Sequence, residues 1–469
     1  MPETAAAPAA AGRGVRVAAA LRLALVLSIV GQLGRIPVLQ AGRKDAPILA
    51  NDIFLMCVLV LGGVCAFRAK RLLLDRVALV ALAFAAVGGI STVLAVPRFG
   101  LSGSQVVFSL AYLARWLAYF GIYLVTVNFV RGADVERVWR AFQGTVVAMA
   151  AFGIFQAIFL PDFAFMVYPG SAAYLDWDPQ GHRLVSTVLD PNFAGAIINM
   201  ALLPSLAMLS YGVRQRPWML AVLFLALALT LSRGAILAFV IGVSVIVLAR
   251  GVSRRLVRVM AVLPLAVLPF IPFLIRYAIL YRKLGIGDKS ALGRFAGWLI
   301  ALRMIRDHPV IGVGFNTFGF VSSRWDDGVT EVISRSSFGG DGGLLLVTVL
   351  TGGVGLCCFL WMLGAAVANC RRTWRNASAP PMSRGLAAGV AAVTVAIVIH
   401  GFFLNTLFYP FIMEPLWVLW GLAFVARRSL AARAPSPEAP ARPRFALAHL
   451  GGGALPAPAP ALRARGATA

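Results

Sequence analysis

Arg233 sits in the run TLSRGA between two apolar stretches, where a cation is expensive unless it has a partner or a task. A guanidinium presents a planar fork of donors that fits two oxygens of one phosphate, so a task for Arg233 would be anion binding. Arg183, Arg294 and Arg303 are further cations in segments that join apolar runs, and with Arg233 they could hold a diphosphate. Asn192 adds a neutral side chain able to hydrogen-bond a sugar or a phosphate. For proton transfer the strongest candidate is Asp341, a carboxylate among the glycines of SFGGDGGLLLVTV, where bare backbone lets a ligand approach. His182 and Asp190, in HRLVSTVLDPNFAG, are alternative bases. Each has a plainer reading. Asp190-Pro191 is a helix-start signature, with Asp as cap and Pro at the first helical position. Asp341 could also cap a helix, Arg233 could form a structural ion pair, and Arg294 and Arg303 could simply snorkel.

These residues need elements to hold them, and composition says which. Of the 469 residues 60% are hydrophobic and 13% charged, and mean hydropathy is +0.84. That excludes an ordinary soluble domain. Twelve apolar runs can each cross a bilayer, at about 17–39, 46–67, 77–96, 104–130, 138–160, 191–212, 216–232, 234–250, 256–281, 342–369, 385–406 and 409–426. The fold class expected is an all-α membrane protein of about twelve transmembrane helices with one large periplasmic loop. The boundaries expected are a disordered tail 1–16, spans one to nine over 17–281, the loop 282–341, spans ten to twelve over 342–426 and a second disordered tail 427–469.

The net charge of +25 would suggest nucleic acid in a soluble protein, but its distribution argues otherwise. Arg68, Lys70, Arg71 and Arg76, then Arg131, Arg137 and Arg140, Arg214 and Arg216, Arg250 to Arg258, Arg371 to Arg375, and Arg427 and Arg428 all fall on one side of a twelve-span arrangement. The positive-inside rule puts that side, and both termini, in the cytoplasm. No nucleic-acid partner is expected. The five cysteines lie in or beside apolar runs without metal-ligand spacing, so neither a metal nor a disulfide framework is expected.

Inside the long loop, Ala291 to Arg306 has helical periodicity. Leu292, Phe295, Trp298, Leu299, Leu302 and Ile305 share an arc of roughly 140° with Arg294 and Arg303 on its borders, the pattern of a helix lying in a lipid interface. His308 follows as a cation at the helix C-terminus, and Pro309 ends it. His400 is taken as structural, on the other side of a span. No phosphate-binding GxxxxGK[ST] loop is present, and no GxSxG or HExxH, so an enzyme built this way must use a donor already activated in the membrane.

Three blocks, RLVSTVLDPNFAGAIINMALLP, LTLSRGAILAF and GRFAGWLIALRMIRDHPVIGVGFNTFG, resemble the O-antigen ligase and polysaccharide polymerase superfamily of bacterial membrane glycosyltransferases. The resemblance spans roughly residues 100–426. It implies a C-type glycosyltransferase fold with the active site on the periplasmic face of the inner membrane. It also implies transfer of a glycan from undecaprenyl diphosphate to a sugar acceptor without metal, nucleotide or other cofactor. Arg233 and Arg294 match the family arginines thought to hold the lipid diphosphate. Lipopolysaccharide ligases of the family carry a His-Asn pair where this chain has Gly340-Asp341-Gly342, a departure that favours a polymerase or exopolysaccharide relative. Membrane lipid and other polysaccharide-assembly proteins are the further partners implied. The competing class is a polytopic transporter or flippase of a polysaccharide pathway; the chain lacks paired, Gly/Pro-broken spans of that kind.

Overall fold

The structure, a computed structural model, describes residues 19–20, 36–41, 44–48, 50–70, 72–167, 183–272, 274–276, 279, 286–326 and 342–431. A two-stranded antiparallel hairpin, β1 (Ile36–Ala41) and β2 (Lys44–Ile48), precedes α1 (Ala50–Ala69), α2 (Arg76–Phe99), α3 (Gly103–Phe129) and α4 (Val135–Phe159). Then come α5 (Pro191–Ser210), α6 (Pro217–Leu229), α7 (Arg233–Arg250), α8 (Arg254–Val262) and α9 (Ile286–Asp307). The chain closes with α10 (Gly343–Arg375), α11 (Pro381–His400) and α12 (Pro410–Ala431). Among the described residues nine helices are long and apolar enough to cross a membrane, and α6, apolar throughout, is shorter at 13 residues. Helices α5 and α12 are the central ones, buried along nearly their whole length.

Helix boundaries follow from local chemistry. Asp75 caps α2, Ser102 and Gln105 form a capping box on α3, and Asp190 caps α5 in front of Pro191. The break expected at Ser232-Arg233 is present: Leu231 turns into the left-handed region at φ 53°, and Ser232 Oγ accepts from the Ala235 amide. Three boundaries differ from expectation. Residues 36–39, taken as the end of a first span, lie in β1, and the helix that follows starts at Ala50. The expected span 256–281 is α-helical to Val262, winds as a 3-10 helix over Leu263–Phe270, where Pro264 and Pro269 supply no amide hydrogen, and is α-helical again at the described residues 271–272, 274–276 and 279. At the far end α12 continues to Ala431, past the boundary expected at 426. Residues 1–16 and 432–469, expected as tails, lie outside the described residues.

The connection between α9 and α10 does not stand wholly clear of the bundle. Helix α10 is interrupted at Gly352, whose φ of 66° and ψ of −170° are not helical. The backbone groups freed there are taken up by the segment after α9. The Val313 and Gly314 amides donate to the Val349 and Leu350 carbonyls at 2.9 and 3.1 Å, and the Gly353 amide donates to the Pro309 carbonyl at 2.7 Å. Ser91 Oγ, midway along α2, lies 2.7 Å from the Ile311 carbonyl and 2.8 Å from that of Leu350, and the Phe315 amide donates to Thr92 Oγ1. Gly352 lies nine residues into α10, about 14 Å below its outer end at 1.5 Å per residue. Non-helical backbone at that depth survives only where protein satisfies it, and here it is satisfied.

Both glycines at this junction are required by geometry. A Cβ on Gly352 would run into the Val310 carbonyl, and one on Gly312 (φ 77°) would stand 2.5 Å from the Val349 oxygen. Those contacts are backbone and cannot rotate away. Gly352→Ala is therefore expected to cost more than about 4 kcal/mol, a range that backbone strain and core clashes reach. An unchanged thermal unfolding midpoint of the purified Gly352→Ala protein would refute this.

Candidate functional site

The ends of α5, α7, α10 and α11 and the middle of α9 meet at one end of the bundle. Asn192, in the first turn of α5, accepts a hydrogen bond on Oδ1 from Ser232 Oγ at 2.9 Å, which places Arg233 at the start of α7 beside it. His400, the last residue of α11, is fully buried, and its Nδ1 lies 2.7 Å from Thr406 Oγ1. A Cβ on Gly234 would stand 3.6 Å from the His400 ring, so α7 and α11 touch at this level. The Gly343 amide donates to the Gly401 carbonyl, joining the start of α10 to the same corner. Trp298 Nε1 of α9 lies 3.4 Å from where a Cβ on Gly342 would be, and Arg294, one turn earlier, is within electrostatic reach of His400.

Arg233 is exposed and has no hydrogen-bond or carboxylate partner among the described residues. It sits at the positive end of α7, where the helix dipole adds to its attraction for an anion. Arg183 is held differently: it is buried, and its Nε donates to the Thr230 carbonyl at 3.0 Å, tying the segment before α5 to the end of α6. Asp190 is likewise committed to structure. Its Oδ1 accepts from the Asn192 and Phe193 amides at 2.7 and 3.0 Å. Burial pushes its pKa up, opposed by those amides and by Arg183. A capped, buried carboxylate is poorly placed to collect a proton from a ligand.

Along α9 the two cations separate. Arg303, nine residues and about 13 Å from Arg294, donates to the Trp325 carbonyl at 3.1 Å, away from the Asn192–His400 corner. The expected apolar arc is partly right. Phe295, Leu299 and Leu302 are exposed in a row, whereas Ala296, Ile300, Ala301 and Met304 form a second apolar face packed on the bundle. His308 follows the end of α9; burial first, and Arg98 second, lower its pKa, and its ring meets Phe99 and Trp325 edge-on. His182 and Asp341 lie outside the described residues, although Gly342 is at the corner just defined.

His400 is the residue the sequence concealed. It was assigned to the other side of a span, but α11 ends where α5 and α7 begin. Its Nε2 is buried and has no hydrogen-bond partner among the described residues. Counting spans from the basic loops would have found it, because the run 385–406 leaves the Arg371–Arg384 side and so ends on the side of Arg233.

At one end of this many-helix membrane protein, an arginine without a partner among the described residues, a buried histidine and hydroxyl and amide groups thus come together. Residues 218–360 match the family model described as O-antigen ligase. The match runs from α6 into the middle of α10 and takes in Arg233, Arg294, Arg303 and Asp341; Arg183, Asn192 and His400 fall outside it. No curated protein matches the chain. The family points to a membrane enzyme of glycan transfer.

Proposed function

We propose that the protein moves a glycan from an undecaprenyl-diphosphate donor onto a sugar acceptor at the periplasmic face of the inner membrane, as a polymerase or ligase of surface polysaccharide. The observation that carries this reading is Arg233, which lies inside the segment matched to the O-antigen ligases, has no partner among the described residues and starts a helix whose cap Ser232 donates to Asn192. In the reaction an acceptor hydroxyl oxygen forms a bond to the anomeric carbon. The bond from that carbon to the phosphate oxygen breaks, and its electron pair leaves with the diphosphate. Arg233 and Arg294 stabilise the charge that develops on the leaving group, worth most where water is excluded. Asn192 orients the phosphate or the first sugar, and Arg183 holds the wall behind it. Asp341 takes the hydroxyl proton. Arg303 binds farther along α9, beside headgroups or the glycan. The exposed row Phe295, Leu299 and Leu302 keeps α9 at the lipid surface, where a polyprenyl chain arrives.

Purified protein in detergent, given a lipid-linked glycan and an acceptor sugar, should release undecaprenyl diphosphate and lengthen the acceptor. A transporter or flippase has no compartments to connect in detergent and would leave the donor intact. Intact donor with well-folded protein would therefore replace the transferase reading with the transport one.

A further inference from the structure

The opposite end of the bundle from Arg233 carries a second cationic cluster that glycan transfer does not use. Helix α5 ends there in the turn Tyr211-Gly212, and three helices deliver an arginine to it. The guanidinium carbon of Arg250, at the end of α7, lies 5.5 Å from the centre of the Tyr211 ring, and that of Arg384, in the first turn of α11, lies 5.1 Å from it. Those two carbons are therefore no more than about 11 Å apart. Arg255 of α8 brings Nη1 to 3.2 Å from where a Cβ on Gly212 would stand. Among the described residues none of the three has a carboxylate partner. Arg384 Nε donates to the Trp374 carbonyl, which fixes its side chain at the turn.

The positive-inside rule explains why this end is basic, but it does not explain convergence. Unpaired like charges on long side chains spread apart unless something draws them together. The Tyr211 face attracts two of them through its quadrupole and is too weak to neutralise either. A phosphate group would do so with charge-assisted hydrogen bonds from each guanidinium. The surroundings point to a phosphate attached to acyl chains rather than one free in water. Leu248, Val252, Val257 and Val262, which flank Arg250 and Arg255 in sequence, are all more than half exposed, and Leu248 is 87% exposed. Apolar side chains next to cations at a span end are the arrangement that receives a lipid tail and its headgroup together.

We propose that Arg250, Arg255 and Arg384 around the Tyr211-Gly212 turn form a binding site for the phosphate of an anionic phospholipid, on the face of the bundle opposite the transfer site. The site needs no assumption about the reaction. The test compares the purified protein in nanodiscs of phosphatidylcholine with and without phosphatidylglycerol or cardiolipin, by native mass spectrometry and thermal unfolding. The anionic lipids should be retained and raise the unfolding temperature, and the triple variant R250Q/R255Q/R384Q should lose that selectivity. Each lost charge-assisted contact should weaken retention about tenfold. R255Q alone, whose side chain is exposed, serves as the second variant if the triple change impairs folding, and it too should weaken retention. Equal behaviour in neutral and anionic nanodiscs would overturn the proposal, as would undiminished selectivity in the variants. Stabilisation by inorganic phosphate in detergent equal to that by lipid would overturn the assignment to phospholipid.

Discussion

Arg233→Ala is expected to reduce transfer by about 10²–10³-fold while leaving thermal stability almost unchanged, on the scale of removing one preorganised donor from a developing anion. The two halves of that expectation have separate grounds. Stability is spared because Arg233 is exposed and has no partner among the described residues, so its loss leaves no buried group unsatisfied. Activity falls because the residue adds a full charge to the positive end of α7 at the site corner. Arg233→Lys is expected to be impaired almost as much, since a point charge cannot reproduce a planar two-pronged contact. Turnover is read as undecaprenyl diphosphate released by equal amounts of folded protein. Full turnover by both Arg233→Ala and Arg294→Ala would remove the diphosphate site.

Asp341→Asn should slow transfer by about 10²–10⁴-fold, the usual scale for losing a general base, without unfolding the protein. Asparagine caps a helix about as well as aspartate, so a residue needed only as a cap would tolerate the change. Asp341→Ala separates the roles further: a cap loses stability by about 1 kcal/mol, whereas a base loses turnover as Asn does. Turnover close to that of the unaltered protein in Asp341→Asn would shift the base role elsewhere. Asp190 is a weak heir, with Oδ1 engaged by two amides. His182 and His400 then come to the front, and the Nε2 of His400, at the corner itself, has no hydrogen-bond partner among the described residues. His400→Gln tests it through the pH profile of turnover, which a packing role would leave in place.

Elements with a local signature were legible. Asp190-Pro191 is a capping sequence, and α5 starts where it says. The periodicity over 291–306 found α9 to within a few residues of Ile286–Asp307. What the sequence hid was whatever depends on contacts between distant segments. Ile36 to Leu39 read as part of a span because hydropathy registers apolarity and not backbone conformation. The prolines that end α8 were visible, but the apolar residues around them were enough to suggest an unbroken span. Which arginines meet at one corner could not be read, because Arg233 and Arg303 look alike in composition and differ only in where α7 and α9 aim them. The depth of the 309–315 segment was hidden for the same reason. HPVIGVGF looks like a loop, and only its hydrogen bonds to α2 and α10 reveal its level.

The interruption at Gly352 also bears on how the chain enters the bilayer. The first piece of α10, Gly343 to Thr351, is too short to cross by itself, and its last carbonyls find partners in a segment made some forty residues earlier and, for Leu350, in Ser91 of α2 as well. A translocon reading α10 as one hydrophobic stretch would release it with those groups unsatisfied in lipid. Insertion and tertiary assembly are thus coupled at this span. The earlier segment must wait for α10, and α10 reaches its final state only when Pro309 to Gly314 threads in beside it. A chain cut between the two would leave each half exposing backbone that only the other can quench, a form that membrane proteases are equipped to remove.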